Sequence, residues 1–200
     1  MKKPISAVNS NTDYLDEYFN ANSEVAKPLT EVTFGKCKFV DVNFSEVRLI
    51  RCRFEECEFQ GCNFNMARFV ESKVLESKFL ACRLTGVDWM QIDTSMGFSL
   101  NCESCELSYC VFSGVDLSKS VFIKCKIHDA EFSDAILRET VFEESDLLGT
   151  FFTRCDMGNA NFKKATNYVF DLRDNKCKKT IFSRPEVENL LLPFDLVVAN

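Results

Sequence analysis

Residues 52–64 read CRFEECEFQGCNF, with Phe at every fifth position and Cys two positions before each Phe. The spacing continues far beyond this stretch. Large apolar residues, the centres, recur every five positions from Phe34 to Trp89 and again from Leu107 to Phe162. A small residue (Cys, Val, Ala, Ser or Thr) stands two before every centre. All 24 centres are apolar in a chain that is 46% hydrophobic, and chance would produce that with odds on the order of 10⁻⁸. Period five fits neither a helix, near 3.6, nor a half-buried strand, at 2. Two inward residues two apart suit a strand fragment, and the other three positions are polar enough to turn a corner. A chain that runs straight, turns and repeats every five residues coils around its own interior as a solenoid with very short sides.

The number of sides follows from the second block. Phe at 112, 122, 132, 142, 152 and 162 alternates with aliphatic residues or Met. Only four sides per coil, a period of 20, give uniform columns: Phe122 under Phe142 and Phe162, and Leu117 under Leu137 and Met157. Identical side chains then stack at the inter-strand spacing of roughly 4.8 Å. Phe182, with Thr180 two before it, holds the same register in a last degenerate coil. The reading predicts roughly seven coils, about 30–35 Å of stacked layers.

The unit small-X-(Leu/Phe)-X-X, as in ANFKKA (160–165) and VDLSKS (115–120), resembles the pentapeptide-repeat family. The resemblance covers residues 29–182. It implies an all-β fold, a right-handed quadrilateral β-helix of four pentapeptides per coil. The best-known members are quinolone-resistance proteins, described as DNA mimics that bind a type II topoisomerase, DNA gyrase or topoisomerase IV. The resemblance therefore implies a protein partner of this kind. No topoisomerase-binding motif carries over residue by residue. The alternative is an interaction scaffold with an unrelated partner.

Three segments are expected. Residues 1–28 lack the repeat and form an N-terminal extension or cap, with a short helix in TDYLDEYF (12–19). Residues 29–182 form the solenoid, with a register break at 90–106, because Trp89 and Leu107 are 18 apart. MQIDTSMGFSLNCES (90–104) reads as an insertion or a shortened side. Residues 183–200 form a cap: Ser183 as N-cap, Pro185 in the first turn, Glu186 three after Ser183, a helix ending near Leu192 at Pro193, and a strand in FDLVV (194–198). Val187, Leu190, Leu191, Phe194, Leu196 and Val198 are more apolar than a cap needs, and a homodimer through this end is expected.

Composition narrows the chemistry. Eleven cysteines without a signal peptide read as free thiols of a cytoplasmic protein, and no apolar run spans a bilayer. A net charge of −6 argues against direct nucleic-acid binding. Nine cysteines (37, 52, 57, 62, 82, 105, 110, 125 and 155) fill the small slot, where Cys acts as a small hydrophobe, while Cys102 and Cys177 fall elsewhere. Cys52, Cys57 and Cys62 point to different faces, so no metal site is expected. CESC (102–105) has no second pair to make a zinc or redox site. His128, the only histidine, has Asp129 beside it but no evident nucleophile. Neither a Walker nor a GxGxxG motif occurs. The chain reads as a non-enzyme without a cofactor.

Function then lies outside. Ile50, Val70 and Met90, 20 apart, should stack into one outward apolar column and, with Met96 and Phe98 of the break, form the candidate partner surface. Val121 and Val141, with Ile123, form a second column. Acids crowd 129–146 as a belt. Few acids stack 20 apart, Glu56 with Glu76 being one pair. Glu58 with Lys78, Lys124 with Glu144 and Asp134 with Arg154 mix signs, while Arg48 with Arg68 and Arg53 with Lys73 stack cations.

Overall fold

The computed structural model describes residues 3–196. The chain winds as a right-handed, four-sided parallel β-helix of about 9 turns. Each side is one pentapeptide, and residues 20 apart pair in parallel register. The first wall stacks Asp13–Leu15, Thr33–Gly35, Arg53–Glu55 and Lys73–Leu75. The second wall is a six-stranded sheet of Tyr18–Phe19, Lys38–Val40, Glu58–Gln60, Lys78–Leu80, Asn101–Glu103 and Val121–Ile123. The third is a ladder of single bridges from Asn43 through Asn63, Arg83, Glu106, Lys126 and Asp146 to Thr166. The fourth holds Leu29–Thr30, Arg48–Ile50 and Arg68–Val70.

The centres point inward and stack as expected. Centroids are 4.7 Å apart for Phe39 and Phe59, 4.8 Å for Phe59 and Phe79, 5.3 Å for Phe122 and Phe142, and 4.9 Å for Phe142 and Phe162. Rings on adjacent walls meet edge to face, as Phe54 does Phe59 at 5.5 Å. Both geometries suit the ring quadrupole and add roughly 0.5–1.5 kcal/mol per pair beyond burial. Two residues after every centre except Trp89 the backbone turns a corner with positive φ, for example Glu56 at 52° and Arg154 at 55°. A non-glycine residue there costs on the order of 1 kcal/mol or more. The corner N–H is used in return: Glu56 donates to the Leu75 carbonyl at 3.0 Å and Arg51 to that of Val70 at 2.9 Å.

Three expectations change. First, the winding starts before residue 28. No helix forms in 12–19; Tyr14 stacks on Phe34 at 5.3 Å and Phe19 on Phe39 at 4.7 Å, and Ala7–Val8 pairs with Glu24–Val25. The second-wall file therefore runs through nine levels, Phe19 to Phe182. The motif is hidden in this coil because Glu17 stands where a small residue belongs and Glu24 where a centre belongs.

Second, the break is smaller than 90–106. Glu71 still donates to the Gln91 carbonyl, and Asp93 to that of Ser72, so the coil holds to Asp93. Phe79 then pairs with Cys102, an offset of 23 rather than 20. Three extra residues are thus accommodated between Asp93 and Asn101. Cys102 is not outside the pattern: it takes the centre position between Phe79 and Phe122. On the fourth wall the ring stack opens from 4.7 Å at Phe69–Trp89 to 6.1 Å at Trp89–Phe112.

Third, the C-terminal helix is a 3₁₀ helix, Glu186–Phe194. Ser183 does not cap it; its hydroxyl accepts the Lys164 N–H at 2.7 Å. Pro193 lies inside the helix, and Phe194 is its last residue. No strand begins at 194–196, and residues 197–198 of the expected strand lie outside the described residues.

Candidate functional site

The small slots do more than fill space. At several corners the slot N–H has no partner in its own coil, and the slot residue one coil above supplies one. Cys52 N–H donates to Ser72 Oγ at 2.9 Å, Cys57 to Ser77 Oγ at 3.0 Å, Cys125 to Ser145 Oγ at 3.0 Å, and Cys155 to Asn175 Oδ1 at 2.8 Å. Ser72 Oγ also donates to the Leu49 carbonyl one coil below at 2.9 Å, and slot thiols donate downward in the same way, Cys57 Sγ to Phe34 at 3.2 Å and Cys155 Sγ to Phe132 at 2.9 Å. At tighter corners the N–H reaches back three residues instead, as Ala67 does to Phe64 at 2.9 Å, and Ala suffices. This explains why Cys, Ser and Thr share the slot with Val and Ala: a buried backbone group needs a partner at some corners and not at others. The small-hydrophobe reading of the cysteines missed it, since the spacing alone does not distinguish the corners.

Ten cysteines are buried and Cys177 is half-buried. Burial pushes the Cys110 and Cys155 thiols up to about 12 and Cys102 well above its ordinary value. Such thiols are poor nucleophiles and poor ligands. Cys52, Cys57 and Cys62 lie on successive walls, as expected. Among the described residues no group of His, Cys, Asp and Glu is arranged to hold a metal ion.

His128 is held by Asp146, not Asp129: its Nε2 lies 2.8 Å from Asp146 Oδ2. Asp146 also accepts Asn167 Nδ2 at 2.7 Å. Burial raises the Asp146 pKa, but the Asn167 hydrogen bond and the neighbouring His128 imidazole outweigh it and hold the carboxyl below its usual range. Ser108, one coil below His128, donates its hydroxyl to Glu106 and not to the imidazole. The pair braces two coils.

On the outside, Ile50 and Val70 pair in register but are half-buried. Met90, which continues their column, is 57% exposed. Met96 is also 57% exposed but lies toward the first wall, where Arg53 Nη1 approaches its sulfur at 3.3 Å. Phe98 is only 9% exposed and packs 5.7 Å from the Trp89 ring. It is a core residue and unavailable to a partner, because the inserted loop has to refill the interior it crosses. Val121 and Val141 stack as expected.

Charges cancel vertically. Arg51 reaches Glu31 at 2.6 Å and Glu71 at 4.0 Å; Lys38 reaches Glu58 at 3.6 Å; Arg154 reaches Asp134 at 2.7 Å; Lys126 reaches Glu106 at 3.3 Å. Asp134 with Arg154 is as expected, whereas Glu144 pairs with Lys164 at 2.9 Å rather than with Lys124. The stacked cations Arg53 and Lys73 are occupied: Arg53 by Glu55 at 3.0 Å, and Lys73 by Asp93 at 3.2 Å and Ser95 at 3.1 Å. They hold the inserted loop onto the first wall.

At the C-terminal end Leu190 is buried and Val187 packs against the core. Both cover the last coil. Leu191 and Phe194 are half-buried, and Arg173 lies 4.6 Å from the Phe194 ring centre. Leu196 is exposed, and Val198 lies outside the described residues.

The geometry defines a class: a four-sided tube with a filled interior, whose accessible features are walls, ends and one loop. The family profile described as "Pentapeptide repeat region" matches residues 27–96 and 98–162, and the chain belongs to the pentapeptide-repeat family. A trypsin-treated variant of QnrB1, a plasmid-mediated fluoroquinolone resistance protein, superposes with a TM-score of 0.60 at 19% identity, covering 96% of this chain and 97% of that one. HetL, a pentapeptide repeat protein involved in heterocyst differentiation regulation from the cyanobacterium Nostoc, superposes with a TM-score of 0.62 at 16% identity over 88% of this chain and 82% of its own. No curated protein matches the sequence. Among the described residues no helix is long and apolar enough to cross a membrane.

Proposed function

We propose that this chain is a non-enzymatic cytoplasmic binding protein that engages a type II topoisomerase, DNA gyrase or topoisomerase IV, through the outside of the tube, and so changes quinolone sensitivity. The observation behind this reading is the near full-length likeness to QnrB1, a fluoroquinolone resistance protein, along nearly all of both chains. At 19% identity that likeness carries the fold, and the partner is our inference from it. A rod of this width could take the place of a DNA segment, with no nucleic acid or membrane contacted by the protein itself. The test is gyrase supercoiling with and without ciprofloxacin. The reading predicts that micromolar protein relieves the drug or inhibits the enzyme. Supercoiling and drug inhibition both unmoved would refute it.

One observation favours a second reading, a scaffold for an unrelated protein partner. Among the described residues the vertical ion pairs leave no unbroken acidic row to imitate a phosphate backbone. The scaffold would use the Ile50, Val70 and Met90 column and Met96. Replacing Ile50, Val70 and Met90 by Ser should then abolish partner capture, and an unchanged set of partners would dismiss the column. We also infer a homodimer through the C-terminal end, where Leu191, Phe194 and Leu196 remain at the surface. Leu196→Glu should convert a dimer into a monomer in sedimentation, and a monomeric parent chain would remove this inference.

A further inference from the structure

Three of the four walls run unbroken past the inserted residues. The second passes from Lys78 to Asn101 and Val121, the third from Arg83 to Glu106 and Lys126, and the fourth from Arg68 to Asp88 and Val111, each by parallel pairing. The first wall does not. Its sheet ends at Lys73–Leu75, and its ladder resumes with Asp116 and Ile136.

The backbone shows the same seam. Along the corner between the first and second walls, the N–H donates to a carbonyl of the coil above at Asp16 (2.8 Å), Lys36 (2.8 Å), Glu56 (3.0 Å), Lys119 (2.8 Å) and Glu139 (2.9 Å). Glu76 stands in the same file between Glu56 and Lys119, and among the described residues its N–H meets no acceptor. Ile136 and Asp156 donate to the coil below at 3.1 Å, whereas Asp116 has no such bond among the described residues. The loop is fastened to the lower coil: the Asp93 N–H bonds the Ser72 carbonyl at 2.9 Å, and Lys73 holds Asp93 at 3.2 Å and Ser95 at 3.1 Å. Among the described residues no hydrogen bond or ion pair joins residues 93–99 to residues 114–119 above them. An open cleft of about 390 Å³ lies along this seam.

The interior is thin at the same level. Cys102 puts a thiol where the second-wall file otherwise stacks rings, between Phe79 and Phe122. The fourth-wall stack widens to 6.1 Å between Trp89 and Phe112. The Trp89 Nε1–H is buried and has no hydrogen-bond partner among the described residues. Close-packed interiors transmit strain and resist deformation, and segments with fewer packed contacts and backbone bonds open at lower cost.

We propose that this level is a hinge dividing the rod into two stiff arms, residues 13–89 and 101–182. The arms swing about the unbroken third wall, opposite the seam, so that the first wall opens and closes. A stiff tube meets a curved partner at few points, whereas a jointed one lays both arms against it. The loop travels with the lower arm, to which it is tied. The hinge follows from the fold alone and holds for any partner, so a negative gyrase assay would leave it standing.

The test is backbone ¹⁵N–¹H residual dipolar couplings of the full-length deuterated protein, weakly aligned in neutral bicelles. These couplings average over the µs–ms range of collective hinge motion. Each arm should fit its own alignment tensor, with a loss of fit when one tensor is imposed on both. The two tensors should differ in magnitude, which a fixed bend does not produce. The Asp93 amide should follow the lower arm, and the Leu100 amide, bonded to Ser120 Oγ at 3.0 Å, the upper one. A single tensor fitting both arms within measurement error, or two tensors of equal magnitude, would overturn the hinge. Asp93 following the upper arm, or Leu100 the lower, would overturn its placement at this level.

Discussion

Replacing Ser72 by Ala removes one oxygen, yet the structure assigns it two buried backbone partners. Ser72 Oγ accepts the Cys52 N–H at 2.9 Å and donates to the Leu49 carbonyl at 2.9 Å. Ser72 is fully buried, so no water replaces it. An orphaned buried polar group costs roughly 1–3 kcal/mol. The Leu49 carbonyl keeps a second lone pair, and the coil relaxes partly, so we expect about 2–3 kcal/mol in total. Ser72→Cys keeps a weak donor and acceptor and should lose about 1 kcal/mol or less. Urea unfolding measures the change in midpoint at constant slope. Amide exchange at Cys52 gives the local reading, because 2 kcal/mol corresponds to about 30-fold faster exchange through local opening. If Ser72→Ala cost under ~0.5 kcal/mol with the Cys52 amide still protected, the slot would be a mere space filler and the argument from corner chemistry would fail.

Other consequences are as direct. Phe59→Ala removes a ring that stacks on Phe39 and Phe79 and meets Phe54 and Phe64 edge to face; it should cost about 3–5 kcal/mol in urea unfolding, with Phe59→Leu well under half of that. The Asp93 carboxyl is lowered to about 2, first by the hydrogen bond from Ser95 and further by Lys73. In an NMR titration Ser95→Ala should raise that midpoint toward the ordinary carboxylate value. Because the folded pKa is depressed, this carboxylate's contribution is present above the unfolded value near ~3.9 and is lost as pH falls through the folded one. The same sign holds for Asp134, held below its usual range by Arg154: the stability difference between the parent chain and Arg154→Ala should shrink as pH falls below ~4.

How much of this was legible depends on which interactions repeat. Five-residue spacing and 20-residue columns are periodic, so the four-sided winding and the Phe122, Phe142, Phe162 stack followed from the sequence. Charge pairing followed in kind, since residues 20 apart must be neighbours, but the rule does not say whether the coil above or below wins. Glu144 has Lys124 beneath and Lys164 above, and in the structure Lys164 takes it. Irregular positions stayed hidden. Glu17 masks the first coil, and Cys102 falls outside the five-residue count because the three inserted residues are what put it in phase with the phenylalanines. Phe98 looked exposed because it sits in a loop, yet the interior beneath that loop had to be filled. At the C-terminus the Ser-X-Pro-Glu pattern suits an N-cap, but Ser183 was already engaged by Lys164 across a coil boundary that local pattern cannot see.

The account rests on an interior filled by side chains, with thiols locked inside it. Counting reactive cysteines with an aromatic disulfide reagent tests this most directly. In the native protein, one thiol of the eleven, the half-buried Cys177, should react within minutes, and the other ten only after denaturant is added. Prompt reaction of three or more native thiols would mean that the interior admits small molecules, and the assignment of all binding to the walls, ends and loop would not stand.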